Sequence, residues 1–542
     1  MSGEPDGSGL LWEIALRLCL LSDTHIGAAR TVPRHTDESG VDLYVDRDPR
    51  TGAPRLRATT LAGLLRHELS ARTGDPDSVR ALMGAARTRT PGDRDAPAMS
   101  ALDVDDALAE LPEEAAVEVR TGTRVDPASG TVQPGRVWRW EILPAGTVLT
   151  AHMRLHVEAP VDEARLLTLL LLATDGLAGP HGPGPGIRVG GRTGRGYGAV
   201  RATHWAAHRH DLTDEYGWFA YHARSWAQRW EDGAHALADA PADLATALAT
   251  GLRARGRTAT AAHLAARADQ PDHRHRDELH LTLAVAERSD PTGPPARGLR
   301  PGLLMVGDAP AHERIGAVDR AHRNRPAVTD PDKAAVHLAP VLGDTALFAL
   351  FKRIGGRLAR DAAEHLDAPP DRWRDWHGRW WGADTDRRGR PRPSRIRLRT
   401  IPVLTGGEPL TTTRLTVDSL FGDAVDGRLF TTDLHCGGSA EAVVDVSEPD
   451  DAVRGLLTLL VRELATVPFD TLGAGAGSGN GRLTATRALL STRPDDGGPP
   501  RTVDLLAAVF DPDGAEAATA RGWLTALRAA LAPDDGTKEA PR

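Results

Sequence analysis

Residues 120–149, RTGTRVDPASGTVQPGRVWRWEILPAGTVL, and residues 412–440, TTRLTVDSLFGDAVDGRLFTTDLHCGGSA, carry one pattern twice: strand, Val-Asp, turn, second strand. Asp126 and Asp418 fall at matching positions. Downstream of the first copy, Leu149, Ala151, Met153, Leu155 and Val157 alternate as a strand with one buried face, and VDEARLLTLLLLATDGLAG from Val161 has helical apolar spacing. The second copy leads to DDAVRGLLTLLVRELATV from Asp450. Both helices run into glycine-rich loops, GIRVGGRTGRGYGAVRATHW from Gly186 and TLGAGAGSGNGRLTATRAL from Thr471. Upstream the order also repeats. Alternating strands at Trp12–Leu20 and Leu279–Val285 precede helices LRATTLAGLLRHELSAR (Leu56–Arg72) and VHLAPVLGDTALFALFKRIGGRLAR (Val336–Arg360). Small-residue corners follow, LMG at Leu82 and WWG at Trp380, leading to strands from Ser100 and Ser394.

A repeat on this scale decides the fold class. Strand, helix, strands, helix, glycine loop and strand predict an α+β chain of two tandem ferredoxin-like or RRM-like βαββαβ modules, each with a large insertion between its halves. The expected organisation is a first module over 1–205, a helical bridge or insertion over 206–277, a second module over 278–490, and a C-terminal helical extension with a mobile tail over 491–542. The helical composition of EYGWFAYHARSWAQRW and LATALATGLRARGRTATAAHLAARA supports the bridge. Sheets of this type are expected to leave one face open, where RNA can lie.

With 542 residues, the chain has length for two to four domains. Hydrophobic content of 40% and charged content of 26% are those of a water-soluble protein, and no apolar run approaches a membrane span. The N-terminus lacks a basic region before its apolar stretch, so a cytoplasmic protein without membrane contact is expected. Two cysteines, Cys19 and Cys436, exclude a disulfide framework and a cysteine zinc site. A net charge of −8 argues against general nucleic-acid binding by the chain as a whole. Local bias differs: residues 371–400 interleave many arginines with Trp373, Trp376, Trp380 and Trp381. That pattern suits either phosphate pairing with base stacking or an amphipathic helix burying its tryptophans.

The first glycine loop carries the functional argument. Gly190, Gly191, Gly194, Gly196 and Gly198 allow sharp turns and close backbone approach, so exposed amides can meet phosphate. Arg192 and Arg195 add guanidinium forks, and Tyr197 is placed to stack on a base or to pack beneath the loop. The counterpart loop offers Gly477 and Arg482. A dinucleotide site is excluded by order, because here a helix precedes the glycines and a strand follows them.

The sequence DLYVDRDPRTGAPRLRATTLAGLLRHEL resembles the RAMP superfamily's Asp-containing loop, D-x-x-G-x-P turn and helix opening L-x-G-x-x-R, with Arg57-Ala58-Thr59-Thr60 where Pro-Gly-Ser-Ser is usual. VGGRTGRGYGAVR resembles that superfamily's C-terminal glycine loop, and RVDPASGTVQPGRVWRWEILPAGT its central hairpin. The resemblance implies an RNA-binding backbone subunit of a type III CRISPR effector in antiviral defence, wrapping guide RNA and holding complementary target RNA alongside other effector subunits. It adds Arg66, in the helix motif, to the RNA-binding candidates. It also implies an endoribonuclease activity in cleaving members, in which a loop aspartate acts with Mg2+ or another divalent metal. Asp42 matches best, with Asp46 and Asp48 as alternatives; in the second module Asp319 is favoured over Asp308. A non-cleaving RNA scaffold is one alternative. Another is a metal-independent nuclease that processes precursor guide RNA, with His25 or His35 as base.

Overall fold

A computed structural model describes residues 9–28, 40–85, 99–113, 115–125, 132–180, 184–267, 274–288, 298–308, 318–383, 392–466, 468–493 and 500–533. The chain divides into two compact units, one comprising residues 1–193, 197–274 and 326–337, the other 194–196, 275–325 and 338–542.

In the first unit, strand β1 (Leu10–Leu20) is an inner strand of its sheet, paired on both edges, and its apolar alternation buries one face. Trp12, Ile14, Leu16, Leu18 and Leu20 are all buried. Helices α1 (Ala58–Thr73), α2 (Pro76–Met83) and α3 (Glu163–Thr174) belong to this side, contributing Leu61, Leu65, Leu82, Leu167 and Leu170 to one core. α1 stops at Gly74, whose left-handed φ of 60° lets its N–H close on Ser70 O. Strands β2 (Leu102–Val104), β5 (Val148–Val157) and β6 (Val200–Asp211) join the sheet, whose edge beyond β5 is extended by the short strands Ala107–Glu110 and Arg55–Leu56, while β3 (Glu118–Val125) and β4 (Val132–Ile142) form a separate hairpin. The sheet order is β6–β1–β5–β2, antiparallel throughout. A buried carboxylate ties these layers: Glu163 Oε1 accepts from Trp12 Nε1 at 3.0 Å and Arg209 Nε at 2.7 Å.

β6 continues to Asp211 because Ala206–Asp211 still pair with β1, so strand occupies the first residues of the expected bridge. Four helices follow: α4 (Glu215–His222), α5 (Trp226–Ala236), α6 (Leu244–Arg253) and α7 (Thr258–Arg267). Leu248, Leu252 and Leu264 of α6 and α7 enter the first unit's core. α5 lies on the sheet's other face, where a Cβ at Gly233 would sit 3.1 Å from His152 Cε1 and 3.3 Å from Ala15 Cβ. There His152 stacks on Trp230 with ring centroids 3.6 Å apart, and burial pushes its imidazole down to about pKa 4. The open RNA-binding face expected of this sheet is therefore covered at its middle, a correction made possible by glycine and alanine at the contact.

The second unit has β7 (Arg276–Arg288) at its centre, then β8 (Arg320–His322), α8 (Asp344–His365), α9 (Pro370–Trp381), β9 (Ile396–Leu398), the hairpin β10 (Glu408–Val417) and β11 (Ala424–Cys436), β12 (Ser439–Ser447), α10 (Asp451–Ala465), β13 (Leu483–Thr492) and β14 (Arg501–Asp504). Its large sheet runs β14–β13–β7–β12–β9, again antiparallel. The extension forms α11 (Leu505–Phe510) and α12 (Ala515–Leu531); α12 sits so close to α10 that a Cβ at Gly455 would be 2.6 Å from Trp523 O. Up to Trp381 the arginine–tryptophan stretch lies in the amphipathic helix α9, with Trp380 and Trp381 buried and Trp376 packed on the core; its residues 384–391 lie outside the described residues.

Both halves share details finer than strand order. Ser100 Oγ donates to Leu82 O and Leu102 O at 3.2 and 2.7 Å; Ser394 Oγ donates to Trp380 O and Ile396 O at 2.9 and 2.6 Å. β6 and β13 each bulge at a threonine whose hydroxyl reaches the central strand at 3.3 Å, Thr203 to Arg17 O and Thr486 to Thr282 O. The chain is thus a mixed α/β protein of antiparallel sheets, compatible with a ferredoxin-like fold. Among the described residues no helix is long and apolar enough to cross a membrane.

Candidate nucleic-acid interface

The glycine loops are fixed by the carbonyls they approach. In the first, Gly191 N donates to His25 O at 2.9 Å, Gly198 N to Asp23 O at 3.0 Å, and Val189 N to Gly198 O at 2.9 Å. A Cβ at Gly190, where φ is +82°, would lie 2.1 Å from His25 O, and one at Gly198 would lie 2.1 Å from Val189 O. The second loop repeats this bond for bond. Ala474 N donates to Met305 O, Gly481 N to Leu303 O and Leu472 N to Gly481 O, at 2.9, 2.7 and 2.7 Å. Here Gly473 and Gly481 leave no space, with Cβ positions 2.2 Å from Met305 O and 2.0 Å from Leu472 O.

The aspartate loops also match. Asp42 N donates to Arg139 O at 2.9 Å while Arg139 N donates back to Asp42 Oδ2 at 2.9 Å. Asp319 N donates to Thr431 O at 2.8 Å while Thr431 N donates back to Asp319 Oδ2 at 2.7 Å. Each aspartate thus docks its loop, running parallel, against the second strand of a hairpin, with Leu43 beside Trp140 and Arg320 beside Thr432.

In the first unit, three successive residues of β4 join the two loops. Arg139 holds Asp42. Trp140 is buried against Tyr197 and lies beneath Arg192, whose guanidinium is 3.7 Å from the ring centroid. Glu141 accepts from Val45 N at 2.9 Å and, in bidentate fashion, from Arg47 at 2.8 and 3.2 Å, while its carbonyl is 2.7 Å from His25 Nδ1. Burial under the loop holds the His25 imidazole below the usual histidine range. The ring is built into the loop's floor, which does not suit it to act as an exposed base.

The remaining candidates separate into structural and exposed groups. Arg66 donates to Met83 O and to Gly84 O, the latter at 3.1 Å, closing the end of α2, as Lys352 closes α9 on Trp381 O and Gly382 O. Tyr197 packs below the loop, 2% exposed, which removes it as a stacking platform. Asp46 is buried between Arg57 and Arg55, whose hydrogen bonds of 2.6 to 2.9 Å hold its carboxyl below the usual range. Asp48 closes a turn by accepting from Arg50 N and Thr51 N. Asp308 pairs its backbone with Ala321, and Asp418 caps its hairpin turn through Leu420 N and Phe421 N. His35 and Asp126 lie outside the described residues.

Gly191 is tolerant, its Cβ position being 3.6 Å from the nearest atom. Gly194–Gly196 group with the second unit, where Leu398 N donates to Gly194 O at 3.0 Å, Arg195 bridges to Leu398, and a Cβ at Gly196 would lie 2.8 Å from Thr400 C. Gly477 is exposed with nothing near it, and Arg482 forms a half-exposed pair with Glu287 at 3.4 Å. Among the described residues no group of three or more His, Cys, Asp or Glu side chains gathers to hold a metal ion. The divalent ion implied by the resemblance finds no such donor set there. What the arrangement offers chemically is two glycine loops, exposed at Gly190, Gly473, Gly475 and Gly477, with guanidinium groups nearby, which suits phosphate.

Residues 17–201, from within β1 to the start of β6, match the family model of the RAMP superfamily. That span takes in the Asp42 loop, the β3–β4 hairpin and the first glycine loop. No curated protein matches the chain.

Proposed function

With that match as premise, we propose that the chain is a guide-RNA-binding backbone subunit of a type III CRISPR effector, formed from two copies of one RAMP module. The recurrence of the same hydrogen bonds around both glycine loops and both aspartate loops carries the reading. Shared composition does not place Asp42 and Asp319 on equivalent hairpin residues, nor Gly190 and Gly473 against equivalent carbonyls; a duplicated module does. In this reading RNA backbone runs past the glycine loops, guide pairing selects the target, and the protein reads shape and phosphate. Asp42 and Asp319 stand at the two positions where target RNA would be cut, each held by a backbone amide at a loop–hairpin junction.

The test is to produce the chain together with the products of its neighbouring genes, purify the assembly, and add labelled RNA complementary to the co-purified guide, with and without Mg2+. Guide RNA should co-purify and complementary RNA should be retained, whereas a scrambled RNA should not. An assembly free of RNA that binds both sequences equally would refute the proposal. Cleavage at regular intervals in the Mg2+ arm assigns the endoribonuclease activity; retention without cleavage assigns the scaffold.

A further inference from the structure

Among the described residues, a guanidinium at the junction between glycine loop and hairpin comes from different sides in the two units. In the first unit it comes from the loop. Arg192 takes a left-handed φ of 61° and lies over Trp140, with Trp138 at 5.9 Å. The facing position on β3 is Gly122, opposite Trp138, and it has no room for a side chain: a Cβ would meet Trp140 Cζ3 at 2.7 Å and Trp138 Nε1 at 2.8 Å.

The second unit reverses the arrangement. The shared pairing of Asp42 with Arg139 and of Asp319 with Thr431 makes Thr413 the counterpart of Thr121, and Arg414 that of Gly122. Trp138 and Trp140 become Phe430 and Thr432, so the cover that forbids a side chain at 122 is reduced. Counting from Gly190 and Gly473, the counterpart of Arg192 is Gly475, also left-handed at φ +83°, and Thr471–Asn480 contains neither Lys nor Arg. The cation comes instead from the hairpin: Arg414 is exposed and its Nη1 donates to Ser478 Oγ in the glycine loop at 2.8 Å.

We propose that Arg414 binds a phosphodiester of the RNA at the second glycine loop, doing from the hairpin what Arg192 does from the first loop. The hydroxyl of Ser478 takes one of five guanidinium N–H groups and fixes the side chain on the glycine loop, whose residues Gly473, Gly475 and Gly477 are exposed. A planar cation held at an exposed glycine loop matches a singly charged phosphodiester. This inference rests on the RNA-binding reading.

The experiment uses the full chain and a fluorescein-labelled oligouridine, with affinity measured by anisotropy across a KCl series. Arg414→Gln should lower the magnitude of the salt slope by about 0.7, the value for one phosphate contact on a single strand, and Arg192→Gln should do the same. Arg414→Lys, which keeps the charge, should retain the wild-type slope. An unchanged slope in Arg414→Gln beside a reduced one in Arg192→Gln overturns the proposal and leaves the RNA-binding reading standing. A loss in Arg414→Lys as large as in Arg414→Gln also overturns it, by giving Arg414 a merely structural role. Absence of oligouridine binding by the wild-type chain at low salt counts against the RNA-binding reading itself.

Discussion

Replacing Asp42 separates the positioning of its loop from any chemistry done there. Asp42→Ala removes the carboxylate, one oxygen of which accepts from Arg139 N at 2.9 Å. The loop keeps Asp42 N to Arg139 O, Glu141 N to Leu43 O, and the contacts of Val45 and Arg47 with Glu141. One hydrogen bond contributes about 1 kcal/mol net, so any equilibrium that depends on loop docking should change by roughly fivefold. Participation of the carboxylate in cleavage is worth about 10²–10⁴ in rate. The two effects are far enough apart to distinguish. Asp42→Asn sharpens the comparison, since its amide oxygen still accepts from Arg139 N while the charge is gone. The assay follows end-labelled complementary RNA over time with the purified assembly in Mg2+, and measures binding in parallel in EDTA. Both variants should bind nearly as wild type and lose one set of cleavage positions; Asp319→Asn should lose the complementary set. Cleavage by Asp42→Asn within about fivefold of wild type would refute a chemical role and leave Asp42 as a latch between loop and hairpin.

Gly190→Ala and Gly473→Ala should each destabilise their loops by more than about 2 kcal/mol, from left-handed strain plus the clash with His25 O or Met305 O, whereas Gly477→Ala should be near neutral. Hydrogen exchange across residues 186–200 and 471–483 reads this directly, and equal protection in all three variants contradicts it. Because Arg57 and Arg55 hold the Asp46 carboxyl below its unfolded value, the pair stabilises the fold above about pH 4, and that contribution is lost as pH falls through the lowered folded value. Asp46→Asn should therefore cost about 1–3 kcal/mol at neutral pH, with the gap in Tm narrowing in acid; a gap independent of pH would show that the ion pair adds nothing. Gly233→Leu should lift α5 from Ala15 and His152 and red-shift tryptophan fluorescence through Trp226 and Trp230, without altering the salt slope of RNA binding. An unshifted spectrum argues against the packing described.

Much of this architecture was legible because apolar periodicity and glycine placement are local signals. The alternation of Trp12 to Leu20 and of Leu279 to Val285 announces two inner strands, and the hairpin pattern of 120–149 recurs in 412–440 as two antiparallel strand pairs. Asp42 and Asp319 occupy equivalent hydrogen-bonding positions, which the repeat pattern makes readable; what chemistry they do is not in that pattern. What escaped depends on contacts across the chain. Nothing local tells that Arg66 spends its guanidinium on the end of α2, that Tyr197 faces inward, or that Glu141 receives both Arg47 and Val45. The covering of one sheet face by α5 was equally hidden, because Gly233 and Ala15 are small residues whose importance appears only when they meet. Arg414 gives the sharpest case: its sequence neighbours mark an exposed strand, and only the register with Gly122 reveals what it replaces.

The central position of β1 has a consequence for synthesis. Its partners are β5, which ends at Val157, and β6, which ends at Asp211, so this apolar strand emerges before both and gains its second neighbour about two hundred residues later. At elongation rates of about 5–20 residues per second, that strand passes at least ~10 s with an edge unpaired. β7 repeats the problem, since it too waits for strands that end at Ser447 and Thr492. A nascent chain of this order should be a strong client for a ribosome-associated holdase, and slowing translation should lower its soluble yield instead of raising it.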